Sequence, residues 1–129
     1  MNKNDLKIVV VDDEIILLDI YQSVFESGGY KNILCFSDSV KAFEYITQNH
    51  INVLITDFQM PGKNGLKLIK AADKVKNKFI ISGSFIGNGS LRQECANLGA
   101  VPIDKPFKPQ LLIELMDEVF LQYSEYTCQ

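Results

Sequence analysis

The chain of 129 residues has little of the positive charge that nucleic-acid binding requires. It has a single arginine, Arg92, and its 13 basic residues are outnumbered by 16 acidic ones, giving a net charge of −3. Domains that bind nucleic acid usually carry a basic patch or stripe. The composition therefore argues against direct contact with DNA or RNA.

Long hydrophobic runs and cysteine motifs are also missing. No apolar stretch approaches the roughly 20 residues of a membrane-spanning helix, and residues 1–5 lead into a predicted strand without a signal-peptide core. The three cysteines, Cys35, Cys95 and Cys128, are odd in number and lack metal-site spacing. We expect a cytoplasmic protein without membrane contact. Cys35 and Cys95 would be reduced core residues, and Cys128 an exposed tail thiol.

Apolar runs of strand length alternate with helical patterns along the whole chain. The predicted strands are 6–11, 32–36, 52–56, 78–81 and 101–103, and the predicted helices are 14–27, 37 or 38 to 48, 65–75, 90–98 and 106 to about 123. Such alternation predicts a parallel sheet with helices on both faces. The length suits one domain with one core, so we expect a single domain over residues 1–129.

Helical spacing in the first two helices predicts which side chains face the core. These are Ile15, Leu18, Ile20, Val24 and Phe25 in the first helix, and Val40, Phe43 and Ile46 in the second. Gly28 and Gly29 are expected to end the first helix. Ser37 or Asp38 is expected to cap the second.

Three aspartates follow two of the most apolar predicted strands. Asp12 and Asp13 come directly after the first strand, and Asp57 follows the third. The carboxyl ends of parallel strands form the edge where such sheets place their ligand sites. Clustered carboxylates repel each other unless a cation joins them, and oxygen ligands suit Mg²⁺. We therefore expect a Mg²⁺ site here, with Mn²⁺ as the alternative ion.

Two more polar side chains are predicted at the same edge of the sheet. Ser82 follows the fourth strand, and Lys105 follows the fifth. A nucleophilic carboxylate, a metal, a hydroxyl and an ammonium are the parts that phosphoryl transfer to a carboxylate needs. Each residue alone has a simpler explanation: Asp13 as a helix cap, Ser82 as a hydroxyl bonded to nearby backbone, Lys105 as a solvated lysine. Their combination favours the phosphoryl-transfer site.

Four motifs occur in a characteristic order. They are Val11-Asp12-Asp13-Glu14, Asp57-x-x-Met60-Pro61-Gly62-x-x-Gly65, Ser82-Gly83 and Lys105-Pro106-Phe107. Together they resemble the receiver domain of bacterial two-component response regulators, over nearly the whole chain. The resemblance implies a doubly wound, flavodoxin-like α/β fold. Its five-stranded parallel sheet would have the order 2-1-3-4-5 and be flanked by five helices.

The resemblance also implies a role for each acidic residue. Asp57 would accept a phosphoryl group from a histidine kinase or a phosphotransfer protein. Asp12, Asp13 and Asp57 would bind Mg²⁺ together with the backbone carbonyl of Gln59. The chain would promote its own phosphorylation and switch its protein–protein interactions, without turnover of an external substrate.

Further implied features concern the phosphoryl group and the partners. Ser82 and Lys105 would contact the phosphoryl oxygens, and the Lys105–Pro106 peptide bond would be cis. The downstream partner would be a protein that the sequence leaves unspecified, or an output domain outside this sequence.

The chain departs from the family pattern near its end. Receiver domains commonly carry an aromatic residue three positions before the lysine, where this chain has Pro102. The segment 83–90 is rich in small residues, which predicts a flexible loop. Our hypothesis is that movement of this loop carries the signal, with Phe85 in place of the missing aromatic. Because Pro102 lacks an N–H, we expect the fifth strand at the sheet edge.

Three other functions remain open. A pseudo-receiver would bind partners without accepting phosphate, although the set of Asp, Ser and Lys residues is intact. A phosphatase of the haloacid-dehalogenase type would need a second aspartate two residues after Asp57, where Gln59 stands. A flavodoxin-like protein would bind a cofactor phosphate in the first loop, where Asp12 and Asp13 would repel it.

Overall fold

The computed structural model describes residues 2–83, 85 and 87–127. The strands are β1 (Ile8–Val11), β2 (Ile33–Phe36), β3 (Val53–Asp57), β4 (Asn77–Ser82) and β5 (Ala100–Asp104). The helices are α1 (Ile15–Ser27), α2 (Ser39–Gln48), α3 (Gly65–Ala71), α4 (Gly89–Asn97) and α5 (Gln110–Thr127), and a short 3-10 helix (Lys3–Asp5) precedes β1. All strand pairs are parallel and the order is β2-β1-β3-β4-β5. The predicted fold is confirmed.

Two hydrophobic cores lie on opposite faces of the sheet. Side chains of β1 alternate between them: Val10 packs with Phe25 and Met116 from α1 and α5, whereas Val9 packs with Leu68 from α3. Central parallel strands are covered on both faces, which explains their continuous apolar sequence. This packing fixes β1 and β3 side by side and holds their carboxyl ends at one edge.

The boundaries of helices α3 and α5 differ from the sequence prediction. Helix α3 ends at Ala71 rather than at residue 75, because Ala72 has left the helical region and the Val75 N–H closes a turn on its carbonyl. Helix α5 begins at Gln110 rather than at residue 106, and it ends at Thr127 rather than at about residue 123. Pro109 explains this start, since a proline disfavours helical geometry in the residue before it.

The buried face of α1 also differs from the predicted one. Ile15 and Ile20 are 63% and 41% exposed, whereas Leu18, Tyr21 and Phe25 are buried. Their spacing of three and four residues forms the stripe that faces the sheet. The predicted termination of this helix at its two glycines is confirmed: Gly28 is the C-cap, and Gly29 has a positive φ of 92°.

The predicted burial of side chains in α2 and of the cysteines is partly confirmed. In α2, Val40 is 44% exposed rather than buried, because Ala42 and Ile46 form the inner face. Cys95 is fully buried as predicted, and Cys35 is half-buried on the edge strand β2. Cys128 lies outside the described residues.

Strand β5 lies at the edge of the sheet, as Pro102 predicted. Among the described strands it pairs with β4 alone, and Pro102 lies opposite Ile80. An edge strand tolerates a residue without an N–H because one of its sides has no strand partner. No helix in the described part of the chain is long and apolar enough to cross a membrane.

Candidate phosphoryl-transfer site

Three carboxylates meet at the carboxyl ends of β1 and β3. These strands pair with Val11 opposite Thr56, so the aspartates that come next along each strand are neighbours. Carboxylate oxygens of Asp12, Asp13 and Asp57 all lie within 4.8 Å of one another. The structure thus brings together the three aspartates that the sequence singled out.

Burial makes this cluster electrostatically costly. Asp12 is 1% exposed and Asp57 is 8% exposed, whereas Asp13 is open to solvent. The pKa of Asp12 is raised from 3.8 to about 6, mainly by burial and also by the charge of Asp57, against the lowering effect of a hydrogen bond from the Glu14 N–H. Burial also raises the pKa of Asp57, and Lys105 is the main opposing influence.

One oxygen of the cluster is suited to bind a cation. Asp12 Oδ1 accepts the Glu14 N–H at 2.9 Å, but the buried Oδ2 has no hydrogen-bond partner in the described part of the protein. An unpaired buried carboxylate oxygen is unfavourable. A hard divalent cation with oxygen ligands would satisfy it and relieve the repulsion among the three carboxylates. The donor set therefore fits Mg²⁺.

Asp13 is not the cap of α1. The N-cap residue is Glu14, whose side chain makes no capping hydrogen bond, and the nearby Glu14 N–H is satisfied by Asp12. The simpler explanation of Asp13 as a helix cap is therefore wrong. Asp38, by contrast, caps α2 by accepting the N–H groups of Val40 and Lys41.

Lys105 and Ser82 lie at the same edge of the sheet. Lys105 Nζ is 3.3 Å from Asp57 Oδ1. The backbone N–H of Lys105 donates to the carbonyl of Ser82 at 3.1 Å, and the following peptide bond to Pro106 is cis. Ser82 is buried at the end of β4. An ammonium and a strand-end serine thus accompany the acidic cluster.

The loop after Asp57 turns back sharply on the strand. The Gly65 N–H donates to the Phe58 carbonyl at 2.9 Å, and a Cβ on Gly65 would lie 2.5 Å from the Asp57 carbonyl oxygen. Only glycine permits this approach. Gln59, two residues after Asp57, is exposed in this turn. Its backbone carbonyl is a candidate metal ligand.

Two contacts near the site were not foreseen from the sequence. Ser39 of α2 bonds to the loop after Asp57. Arg92 of α4 forms an ion pair with Asp104 and lies 5.6 Å from the ring centre of Phe85. The hydrogen bonds of Ser39 and the Arg92–Asp104 ion pair join different elements of the fold, so no local pattern signals them.

Phe85 belongs to a core rather than to the surface. It is fully buried with residues of α2, α3 and α4, and Arg92 covers its ring. Asp104, the partner of Arg92, lies opposite Ser82 in the β4–β5 pairing. Ser84 and Ile86, on either side of Phe85, lie outside the described residues.

The chain belongs to the response regulator receiver domain family. The family model, described as "Response regulator receiver domain", matches residues 8–117. A relative described as a chemotaxis protein CheY homolog of Campylobacter jejuni is 33% identical over 119 residues, covering 88% of this chain and 92% of the relative. Receiver domains of this kind are signalling domains that act with histidine kinases and downstream effectors, as the sequence resemblance implied.

Solved structures support the same fold. A CheY-like receiver domain from Methanospirillum hungatei covers 92% of this chain and 97% of its own, with a TM-score of 0.77 and 26% identity. The receiver domain of the sensor histidine kinase PA1611 from Pseudomonas aeruginosa has a TM-score of 0.72 at 17% identity and covers 88% of this chain and 95% of its own. That structure is described with a magnesium ion coordinated in its active site cleft.

Proposed function

We propose that the chain, as one receiver domain over residues 1–129, accepts a phosphoryl group on Asp57 in a Mg²⁺-dependent reaction. The observation that carries this proposal is the position of Asp57, which is 3.3 Å from Lys105 Nζ and within 4.8 Å of the other two carboxylates. The magnesium ion in the PA1611 receiver domain supports the same choice of metal.

The reaction follows from the groups present. An oxygen of Asp57 attacks the phosphorus of a phosphohistidine, the new P–O bond forms, and the P–N bond breaks with its electron pair on the imidazole nitrogen. Lys105 and Ser82 hold the phosphoryl oxygens. Asp12, Asp13 and the Gln59 carbonyl, with Asp57, would hold Mg²⁺, which would neutralise charge on the phosphoryl group. Lys105 also opposes the effect of burial on the Asp57 pKa and so favours the carboxylate that attacks.

The partners follow from this chemistry. A histidine kinase or a phosphotransfer protein would supply the phosphoryl group, and a downstream protein would bind the changed surface. We propose no turnover of an external substrate.

Incubation with acetyl phosphate tests the proposal. We expect a gain of one phosphoryl group by intact mass in the presence of Mg²⁺, little gain in EDTA, and none in Asp57→Asn, which keeps the shape but loses the nucleophile. Asp38→Asn, which changes a carboxylate outside the cluster, is the matched control and should gain the group normally. No gain by the wild-type protein despite Mg²⁺ binding would favour the pseudo-receiver.

The output of the switch is proposed to involve Phe85 and Arg92. Arg92 of α4 forms an ion pair with Asp104, which lies opposite Ser82 in the sheet. A movement of β4 at Ser82 should therefore change the surroundings of Arg92 and of Phe85, whose ring Arg92 covers. We expect their backbone amide NMR shifts to change on phosphorylation of Asp57, more than the shift of His50 at the opposite edge. Unchanged shifts at Phe85 and Arg92 in a fully phosphorylated sample would contradict this route.

A further inference from the structure

We propose that Ser39 of α2 is a positioning residue for the Mg²⁺ site, an inference that rests on the proposed function. Its hydroxyl donates to the Pro61 carbonyl at 2.7 Å and accepts the Lys63 N–H at 2.9 Å. The side chain is buried, with 4% exposed. The hydroxyl therefore fastens the loop after Asp57 to the start of a helix more than 20 residues away in sequence.

The loop is fastened independently on its other side. The Phe58 N–H donates to the Ile81 carbonyl at 2.9 Å, and the Phe58 carbonyl accepts the Gly65 N–H at 2.9 Å. Gln59 lies between this anchor and Pro61. The Ser39 bonds thus form the second anchor, on the C-terminal side of the carbonyl that would bind the metal.

The fit between Ser39 and the loop depends on Gly62. Gly62 has a φ of +82°, and a Cβ there would lie 3.0 Å from Ser39 Oγ and 3.3 Å from Val40 Cγ2. A side chain at this position would push the loop away from α2. Glycine therefore allows the close approach that the two hydrogen bonds of Ser39 require.

The expected consequence is a preorganised metal ligand. Mg²⁺ demands near-ideal octahedral geometry, so a carbonyl that is already fixed costs less to order on binding. Without the Ser39 hydroxyl, Pro61 and Lys63 lose a shared hydrogen-bond partner, and the backbone bonds of Phe58 no longer have a counterpart on the C-terminal side of Gln59. Residues that orient metal ligands typically change the metal affinity by about tenfold or more when replaced.

The test compares four variants of the full chain. Ser39→Ala removes the hydroxyl, and Ser39→Cys keeps a similar shape with much weaker hydrogen bonds. Ser39→Thr keeps the hydroxyl, and Ser37→Ala changes an exposed serine nearby that takes no part in these bonds. Mg²⁺ is titrated in the absence of phosphodonor and followed by the amide NMR shifts of Gln59 and Met60. Unfolding by urea is measured in EDTA.

We expect Ser39→Ala and Ser39→Cys to weaken Mg²⁺ binding by roughly tenfold, with Ser39→Thr and Ser37→Ala within about twofold of the wild type. At saturating Mg²⁺ the phosphoryl gain from acetyl phosphate should return to the wild-type level. An unchanged Mg²⁺ affinity in both Ser39→Ala and Ser39→Cys, with lower stability in EDTA, would show a purely structural role and overturn the inference. Failure of the proposed function is a different result, namely a wild-type protein that gains no phosphoryl group.

Discussion

Replacing Asp12 with asparagine will stabilise the metal-free protein at neutral pH. The pKa of Asp12 is raised from 3.8 to about 6 by burial and by neighbouring charge, so the ionised side chain is disfavoured in the folded state. A shift of this size corresponds to about 3 kcal/mol at pH 7. Asparagine removes the charge and retains an oxygen that accepts the Glu14 N–H. We expect a gain of about 1–3 kcal/mol in the free energy of unfolding.

The sign of this effect determines its pH dependence. The folded-state pKa of Asp12 lies above its unfolded value, so the folded state holds the proton more tightly between pH 4 and pH 6. The contribution of Asp12 to stability is therefore present below about pH 4 and is lost as the pH rises through about 6. The difference between Asp12→Asn and the wild type should be small at pH 4 and largest at pH 7. Urea unfolding in EDTA at several pH values measures it.

The same substitution should act in the opposite direction on metal binding. The wild-type protein is expected to gain stability on addition of Mg²⁺, because the ion binds the folded state and relieves the repulsion. Asp12→Asn should gain much less. A variant that is less stable than the wild type in EDTA at pH 7 would contradict the electrostatic account of the cluster.

Replacing Gly65 with alanine will destabilise the protein and disturb the site. The added Cβ would lie 2.5 Å from the carbonyl oxygen of Asp57 and 3.0 Å from Phe58 Cα, both of which belong to the backbone. A backbone cannot yield as a flexible side chain can. We expect a loss of about 3 kcal/mol in the free energy of unfolding. Displacement of Asp57 should also slow the phosphoryl gain from acetyl phosphate.

Gly89→Ala is the matched control for this prediction. Gly89 is the first residue of α4, and a Cβ there would meet nothing within 4 Å. Alanine should leave stability unchanged or raise it by up to about 1 kcal/mol, through the lower entropy of the unfolded chain. Urea unfolding of both variants gives the comparison. Equal stabilities of Gly65→Ala and Gly89→Ala would show that the contact with Asp57 is unimportant.

The elements that were predicted well from the sequence are those marked by a pattern of neighbouring residues. The buried strands β1 and β3 are continuous apolar runs, and their order along the chain is enough to bring Asp12, Asp13 and Asp57 to one edge. The short turn that ends α3 and the shifted inner stripe of α1 depend on packing against neighbours. The spacing of apolar residues in the sequence does not predict these two features.

Contacts that connect distant segments were not predictable. Ser39 reads as an ordinary residue of the first turn of a helix, and nothing nearby indicates that it binds Pro61 and Lys63. The Arg92–Asp104 ion pair likewise requires the packing of α4 against β5. Such contacts appear only when the three-dimensional arrangement is known, and both border the candidate site.

The most direct test of the proposed acceptor is the position of the phosphoryl group. After reaction with acetyl phosphate and Mg²⁺, borohydride reduces an aspartyl phosphate to homoserine, which peptide mass spectrometry locates. We predict homoserine at position 57 and unchanged aspartate at positions 12 and 13. Homoserine at position 12 or 13, or a phosphoryl group that resists borohydride, would contradict the assignment of Asp57 as the phosphoacceptor.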